Sequence, residues 1–264
     1  MSKMIIDADT HISPLDEGTI RAERLIADMD QSGVDKALCW LQPPYMREID
    51  SSLKYVYEAT KAYSDRLLGF GWTDPHFGKQ KAIEAAHRCI EEYGFYGVKM
   101  NGAQNSYYID DEELVFPVID EIAKMGTILA LHIGADAYDF THPYRMEKIA
   151  RRYPEMPILV AHMGGAGLPN LAKPCIEVAK RNRNVYLIGS SIGWNYVIQA
   201  IRELGADRVL FGSDTPFSNM HADLNAYRAF LSDNFTEEES GLVLGGNVER
   251  LFGLTADKER RTAC

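Results

Sequence analysis

The sequence predicts a single α/β domain, a (β/α)8 TIM barrel with an extra C-terminal helix. Three observations predict it. Short apolar runs alternate with longer segments of helical period. The runs begin near residues 4, 35, 67, 96, 127, 157, 184 and 208, one every 24 to 32 residues. The 264 residues also match the roughly 250 of a typical barrel of this kind. Strands joined by crossover helices form a parallel sheet, and eight such units close on themselves. No low-complexity tract or Pro/Gly-rich linker interrupts the series, so residues 1–264 read as one domain.

The first run, Met4-Ile5-Ile6, leads into Asp7, Asp9 and His11. In a strand alternate side chains share a face, so these three point the same way, with Asp9 and His11 nearest the mouth and Asp7 one step deeper. Strand two is Ala37–Leu41, followed by Gln42 to Arg47. Strand three runs from Leu67 to Trp72 and ends in Thr73-Asp74-Pro75-His76. Strand four is Tyr96–Met100, carrying Lys99 and followed by Asn101. Strands five and six, Ile128–His132 and Ile158–His162, each end in a histidine. Strand seven, Val185–Ile188, ends in Gly189-Ser190-Ser191, and strand eight, Val209–Gly212, ends in Ser213-Asp214-Thr215-Pro216. Between them, Leu53/Val56/Tyr57/Thr60/Tyr63, Val115/Val118/Ile119/Ile122/Met125 and Trp194/Val197/Ile198/Ile201/Leu204 form apolar stripes at helical spacing. Gly33 and Gly126 stand where helices end. Thr236 and Glu239 form a capping box for a late helix. That helix and Asn247–Phe252 are expected to close the outside of the barrel.

Composition narrows the partners. A net charge of -10, from 28 basic and 38 acidic residues, argues against nucleic acid and anionic membranes. No apolar run approaches the roughly 18 residues of a membrane span, and Met-Ser-Lys-Met lacks the layout of a signal peptide. Cys39, Cys89, Cys175 and Cys264 are dispersed, as expected of reduced thiols in a cytoplasmic protein. Exposed barrel helices are compatible with a homodimer.

Barrel active sites are built at the carboxyl ends of the strands. Three of the seven histidines, His11, His132 and His162, fall at such ends, as does Asp214. Strands one and eight are neighbours in a closed barrel, and strands five and six face them across the mouth. Asp9 and Asp214 can supply charge, and His11 and His132 neutral nitrogen, to one divalent ion. This mixed nitrogen and oxygen set suits Zn²⁺, Mn²⁺ or Fe²⁺.

The pattern resembles the amidohydrolase superfamily, and more closely the amidohydrolase-related family that contains the aminocarboxymuconate-semialdehyde decarboxylase group. The matching stretches are Ile5–His11, Gly97–Met100, Leu129–His132, Leu159–Gly165, Leu210–Phe217 and Gly246–Phe252, which together span the chain. The resemblance implies metal ligands at Asp9, His11, His132 and Asp214, and a contact from His162 to substrate or metal-bound water. Asp9 replaces the first histidine of the family's H-x-H. It is similar to the E-x-H of some non-oxidative aromatic acid decarboxylases and leans the ion from Zn²⁺ toward Mn²⁺. Lys99 stands where binuclear superfamily members carry a carbamylated lysine bridging two metals. The simpler expectation is a mononuclear site, with Lys99 an ammonium that neutralises the carboxylates or binds an anionic substrate.

The leading expectation is therefore a metal-dependent hydrolase acting on a small organic acid, lactone or amide. The metal lowers the pKa of bound water from about 15.7 toward 7, Asp214 serves as general acid/base and His162 assists. The alternative is a metal-dependent non-oxidative decarboxylase of a carboxylated aromatic or muconate-like acid, with Asp214 protonating the ring carbon. A third reading is a catalytically inactive barrel acting as a binding protein. The substrate, expected to be a small carboxylated molecule, would meet βα-loop residues. The main candidates are Lys99, Asn101, Arg47, His76, Tyr108, His142, Arg145 and Trp194, with Gln104, Tyr107, Tyr144 and Ser191 behind them. Arg47 and Arg145 could clamp a carboxylate. His221 could approach the site, and His87 is expected to be solvated.

Overall fold

In a computed structural model of the chain, residues 4–14, 21–42, 49–134 and 137–254 are described. Eight parallel strands form in the order of the sequence. They are β1 Ile6–Ile12, β2 Lys36–Leu41, β3 Leu67–Gly69 resuming at Gly71–Trp72, β4 Gly97–Met100, β5 Ile128–His132, β6 Ile158–Ala161, β7 Val185–Ile188 and β8 Val209–Leu210. Each pairs in parallel with the next. The barrel closes where Ala8 N–H donates to Phe211 O (2.9 Å), Asp214 N–H to Asp9 O (2.8 Å) and His11 N–H to Thr215 O (2.7 Å). The TIM-barrel expectation holds, with one refinement. Strand three is interrupted at Phe70, whose N–H bonds back to Cys39 O across β2. Gly69 and Gly71 flank the break because a Cβ at either would collide, with the Phe95 ring at 2.4 Å and with Cys89 at 2.6 Å.

Alternation along the strands sorts the core into two layers, except that β1 shifts register between Asp7 and Thr10, so Asp7, Asp9 and His11 do not share one regular face as expected. Ile12, Ala37, Cys39, Val98, Leu129, Val160 and Leu187 face outward onto the helices. Ile6, Ala8, Leu38, Trp40, Leu68, Phe70, Ile128, Ala130, Leu159, Ile188 and Leu210 fill the barrel interior. The three helices marked by their stripes form at Asp50–Ala62, Phe116–Lys124 and Trp194–Leu204. Gly33 (φ 74°) and Gly126 (φ 66°) adopt the left-handed conformation that lets the chain turn off a helix into a strand. Thr236 and Glu239 make both bonds of the capping box.

The C-terminal helix Asn247–Leu251 departs from expectation. It does not lie on the outside. Val248 and Phe252 join the interior layer, and Phe252 stacks on Tyr96 (4.8 Å) and Phe70 (6.4 Å). The helix thus plugs the amino-terminal end of the barrel. Asn247 Nδ2 fastens it by donating to Ala206 O (2.7 Å) and Val209 O (2.8 Å). With that end sealed, the opposite end is left for the loops that carry polar side chains. No helix among the described residues is long and apolar enough to cross a membrane. Cys39, Cys89 and Cys175 are buried free thiols, and Cys264 lies outside the described residues.

Candidate active site

β1 delivers Asp9 and His11 to the carboxyl end, β5 delivers His132, the turn after β6 delivers His162 and the segment after β8 delivers Asp214. All five are buried. His162, Asp214 and Ser191 hold φ of 58°, 61° and 50°. These are left-handed conformations that cost non-glycine residues energy and cluster at functional sites. Asp7 lies deeper, as expected of a structural carboxylate. Its Oδ1 accepts from Asp9 N (3.0 Å) and Ser213 N (2.9 Å), tying β1 to β8, and burial pushes its carboxyl up to about 7.

Hydrogen counting fixes the two imidazoles nearest the carboxylates. His11 Nδ1 is 2.8 Å from Leu41 O, which only accepts, so Nδ1 carries the proton. Its Nε2 then has a lone pair, which receives the Trp40 indole N–H at 3.0 Å. That nitrogen also lies 3.6 Å from Asp9 Oδ1 and 3.6 Å from Asp214 Oδ1. Ser190 Oγ has one hydrogen and donates it to Asp9 Oδ2 at 2.5 Å. His162 Nδ1, 3.0 Å from the same Oγ, must therefore be the donor to it. His162 Nε2 is left free for whatever enters the mouth. Ser191 Oγ donates to Asp214 Oδ2 at 2.7 Å.

Asp9, His162 and Asp214 each offer a ligand atom, all within 4.8 Å of one another, a spacing that one metal ion could bridge. Two buried polar atoms point to the same conclusion. Asp9 Oδ1 and His132 Nε2 have no hydrogen-bond partner. A carboxylate oxygen and an imidazole nitrogen left unpaired in a buried site are costly, and a divalent ion would satisfy both. The donor set fits such an ion. The geometry differs from expectation by bringing His162 into the cluster, while Trp40 occupies the lone pair of His11. Burial, reinforced by the neighbouring His162 and Lys99, holds His132 well below the ordinary imidazole range, so it stays neutral and able to ligate. Burial alone would raise Asp214, but the surrounding imidazoles and the Ser191 hydroxyl hold it below the carboxylate range.

The other expected residues divide. Lys99 is 1% exposed and reaches into the site, its Nζ 3.5 Å from the centre of the Trp40 ring. Asn101 is buried and caps the short helix Gly102–Asn105 through Gln104. The His76 ring lies 3.5 Å from Asp74 Oδ1 and edge-on to Tyr107, whose buried hydroxyl has no partner. The Arg145 guanidinium is taken by Asp110 (2.8 Å) and Asp139 O (2.7 Å) and covers Tyr108, so it fastens loops together. His142 caps helix Pro143–Arg152, and Tyr144 bonds Glu177. Trp194 is 60% exposed at the start of its helix. His87 bonds Glu91 and His221 bonds Asn225, both on helices. Arg47 lies outside the described residues.

Sequence reasoning missed Ser190, Trp40 and Phe217. The Phe217 ring meets His11 edge-on at 5.3 Å. The Gly-Ser-Ser end of strand seven was the one signal for Ser190. Nothing local marked the other two.

A family model described as amidohydrolase matches residues 6–254. The chain belongs to the amidohydrolase family. A gamma-resorcylate decarboxylase of Polaromonas sp. is 25% identical over 291 residues, covering 88% of this chain and 87% of that protein. A second, from Rhizobium sp., is 26% identical over 285 residues, covering 86% and 85%. Among solved structures, the chain is similar to a dihydroxybenzoic acid decarboxylase from Polaromonas sp. with bound manganese and the inhibitor 2-nitroresorcinol. The TM-score is 0.78 at 19% identity, over 96% of this chain and 98% of that one. It is also similar to a 5-carboxyvanillate decarboxylase from Novosphingobium aromaticivorans complexed with manganese, with TM-score 0.77 at 19% identity, over 96% of each chain.

These relatives overturn the hydrolase expectation. The enzyme reading stands, but the named activities are decarboxylations, and the metal in these two structures is manganese rather than zinc. The physical reason is that a metal, a carboxylate and an imidazole at strand ends serve either reaction. The choice between them rests with loop residues that carry no motif.

Proposed function

We propose that this protein is a metal-dependent non-oxidative decarboxylase of a small hydroxylated aromatic carboxylic acid. The observation that carries the reading is the buried cluster of Asp9, His11, His132, His162 and Asp214 at the carboxyl end of the barrel, with its unpaired Asp9 and His132 atoms. Decarboxylase relatives aligned over most of the chain support it. Asp9, Asp214 and His132 would hold one divalent ion, with His162 beside them and His11 kept behind them by Trp40, and Mn²⁺ suits two carboxylates better than Zn²⁺ does. When bound, that ion supplies a Lewis acid that stabilises negative charge on substrate oxygens.

The chain's own residues handle the proton. Asp214 rests as a carboxylate, its Oδ2 held by Ser191. It takes the proton of the substrate hydroxyl and passes it to the ring carbon bearing the carboxylate. The C–C bond breaks, its electron pair stays with that carbon to form the new C–H bond, and CO₂ leaves. A hydroxybenzoate anion becomes a phenolate anion plus CO₂, so charge balances. His162 Nε2, aimed by the Nδ1–H bond to Ser190, is free to hydrogen-bond the substrate. Trp40 and Phe217 flank His11 and present aromatic surface beside the reacting ring.

The test is to incubate the Mn²⁺-supplemented protein with 2-hydroxybenzoate, 2,6-dihydroxybenzoate and related acids carrying ¹³C in the carboxyl group. Labelled CO₂ and the matching phenol should appear together. Absence of CO₂ across the whole panel overturns the reading.

A further inference from the structure

Among the described residues, Lys99 and Arg208 are the two buried lysine or arginine side chains. Arg208 is fully engaged, donating to the carbonyls of Val185, Ala179 and Asn182 at the far end of the barrel. Lys99 has no such partners. Among the described residues its Nζ makes no hydrogen bond, and no carboxylate lies within the 4.0 Å of an ion pair. Its contacts are two aromatic faces, Trp40 at 3.5 Å and Trp72 at 5.3 Å. A cation over an indole ring is favourable, but not enough to offset removal from water. Burial accordingly lowers the ammonium to about 8, even with the Asp9 and Asp214 charges acting in the other direction.

A protein gains no stability from burying a cation in this way. Replacing such a group with an apolar one of similar volume is commonly neutral or stabilising. The ammonium therefore awaits an anion that arrives from outside. Charge counting sets its size. Asp9 and Asp214 together balance a divalent ion, and the neutral His11 adds nothing. Among the described residues, the cation then left without a counter-charge in the site is Lys99. Of the two arginines expected to reach substrate, Arg145 is neutralised by Asp110 and Arg47 lies outside the described residues.

We propose that Lys99 reads the substrate carboxylate and makes the site selective for aromatic monocarboxylates over neutral analogues and over dicarboxylates. This rests on the proposed function for the aromatic nature of the ligand, but not for the role of the charge. Lys99 contacts the carboxylate before reaction and has no anion to contact once that group leaves as neutral CO₂. Its contribution therefore goes to substrate binding rather than to turnover.

The test uses Mn²⁺-loaded protein and calorimetric titration with three probes. Salicylate is a monoanion, salicylamide its neutral counterpart, and 2-hydroxyisophthalate a dianion. Lys99→Met removes the charge with little change in volume, Lys99→Gln is a second neutral variant, and Lys99→Arg keeps the charge. In the wild type, salicylate should bind more tightly than either of the other probes. In the Met and Gln variants the salicylate-to-salicylamide preference should fall about 10- to 100-fold, the worth of one charge-assisted bond. Salicylamide binding should change less than about threefold, and the Arg variant should recover part of the preference. The thermal midpoint of the metal-free Met variant should equal or exceed that of the wild type, the reverse of what a structural lysine would show. An unchanged preference in both neutral variants overturns the proposal, as does a wild type that binds salicylamide or the dianion as well as salicylate. Charge-dependent binding that is lost in the neutral variants, in a protein that releases no CO₂, would uphold Lys99 and reject the decarboxylase reading.

Discussion

Replacing Ser190 by alanine removes one oxygen and two hydrogen bonds from a place water does not reach. Ser190 is fully buried, donates to Asp9 Oδ2 at 2.5 Å and accepts from His162 Nδ1 at 3.0 Å. The bond to the carboxylate is charge-assisted and contributes about 1.5–3 kcal/mol, and the bond from the imidazole about 1 kcal/mol. The two atoms left behind, His162 Nδ1 and Asp9 Oδ2, lie 3.7 Å apart, so only a longer direct contact can replace the pair of bonds. Ser190→Ala in the metal-free protein should therefore lose roughly 2–4 kcal/mol, read from the midpoint of urea unfolding followed by circular dichroism. Ser191→Ala is the control. Its hydroxyl also holds a carboxylate oxygen, Asp214 Oδ2 at 2.7 Å, but the site is partly open, so water can replace it and the loss should be about half. Histidine ¹⁵N spectra supply a second readout. His162 should show Nδ1 protonated in the wild type and a mixture of tautomers in Ser190→Ala. In the metal-loaded variant turnover should fall about 10- to 100-fold, as for other groups that orient a reactive imidazole. A Ser190→Ala protein within about 0.5 kcal/mol of the wild type, with His162 unchanged, would show that Ser190 does not bridge Asp9 and His162.

Asp214→Asn should keep the fold, judged by far-ultraviolet circular dichroism, and lose at least about 100-fold in CO₂ release, since an amide cannot relay the proton. Adding Mn²⁺ to metal-free protein should raise the thermal midpoint. At 100 times the dissociation constant the stabilisation is about 2.7 kcal/mol, and Asp9→Ala should abolish the shift. Burial acts to raise the Asp110 carboxyl, but Lys148 and Arg145 hold it below the ordinary range. Its stabilisation is present above the unfolded carboxylate value and is lost as pH falls through the folded one. The deficit of Asp110→Asn, about 1 kcal/mol after allowing for the exposure of Lys148, should be full near pH 7 and shrink below about pH 4 in urea titrations. Gly134 has φ 72°, and a Cβ there would sit 1.7 Å from Gly164 O. Gly134→Ala should therefore cost several kcal/mol and displace the turn His162–Gly164, read as a lowered urea midpoint with lowered metal affinity.

Several features were legible because they are local. The repeat of apolar runs sets the strands, and the stripes on Asp50–Ala62, Phe116–Lys124 and Trp194–Leu204 set helices to within a few residues. The polar ends of strands one, five, six and eight marked Asp9, His11, His132, His162 and Asp214, since barrel topology alone brings those ends to one mouth. The family followed from the same stretches. The reaction did not, because decarboxylation and hydrolysis can share this donor set.

Tertiary structure decided whatever depends on contacts between distant positions. Ser190 and Asp9 are 181 residues apart, and no pattern in either segment announces their bond. Trp40 looks like any core aromatic until its indole N–H meets His11 and its face meets Lys99. Arg145 resembles a substrate clamp until Asp110, 35 residues earlier, takes its charge. Residues 247–252 could have covered any apolar surface, and packing chose the amino-terminal end of the barrel because Phe70, Tyr96 and the strand starts leave an apolar opening there. The sequence determined which groups reach the mouth, through periodicity and residue type. The three-dimensional packing determined which of them are already paired, and so which remain free to meet a metal ion or an anion.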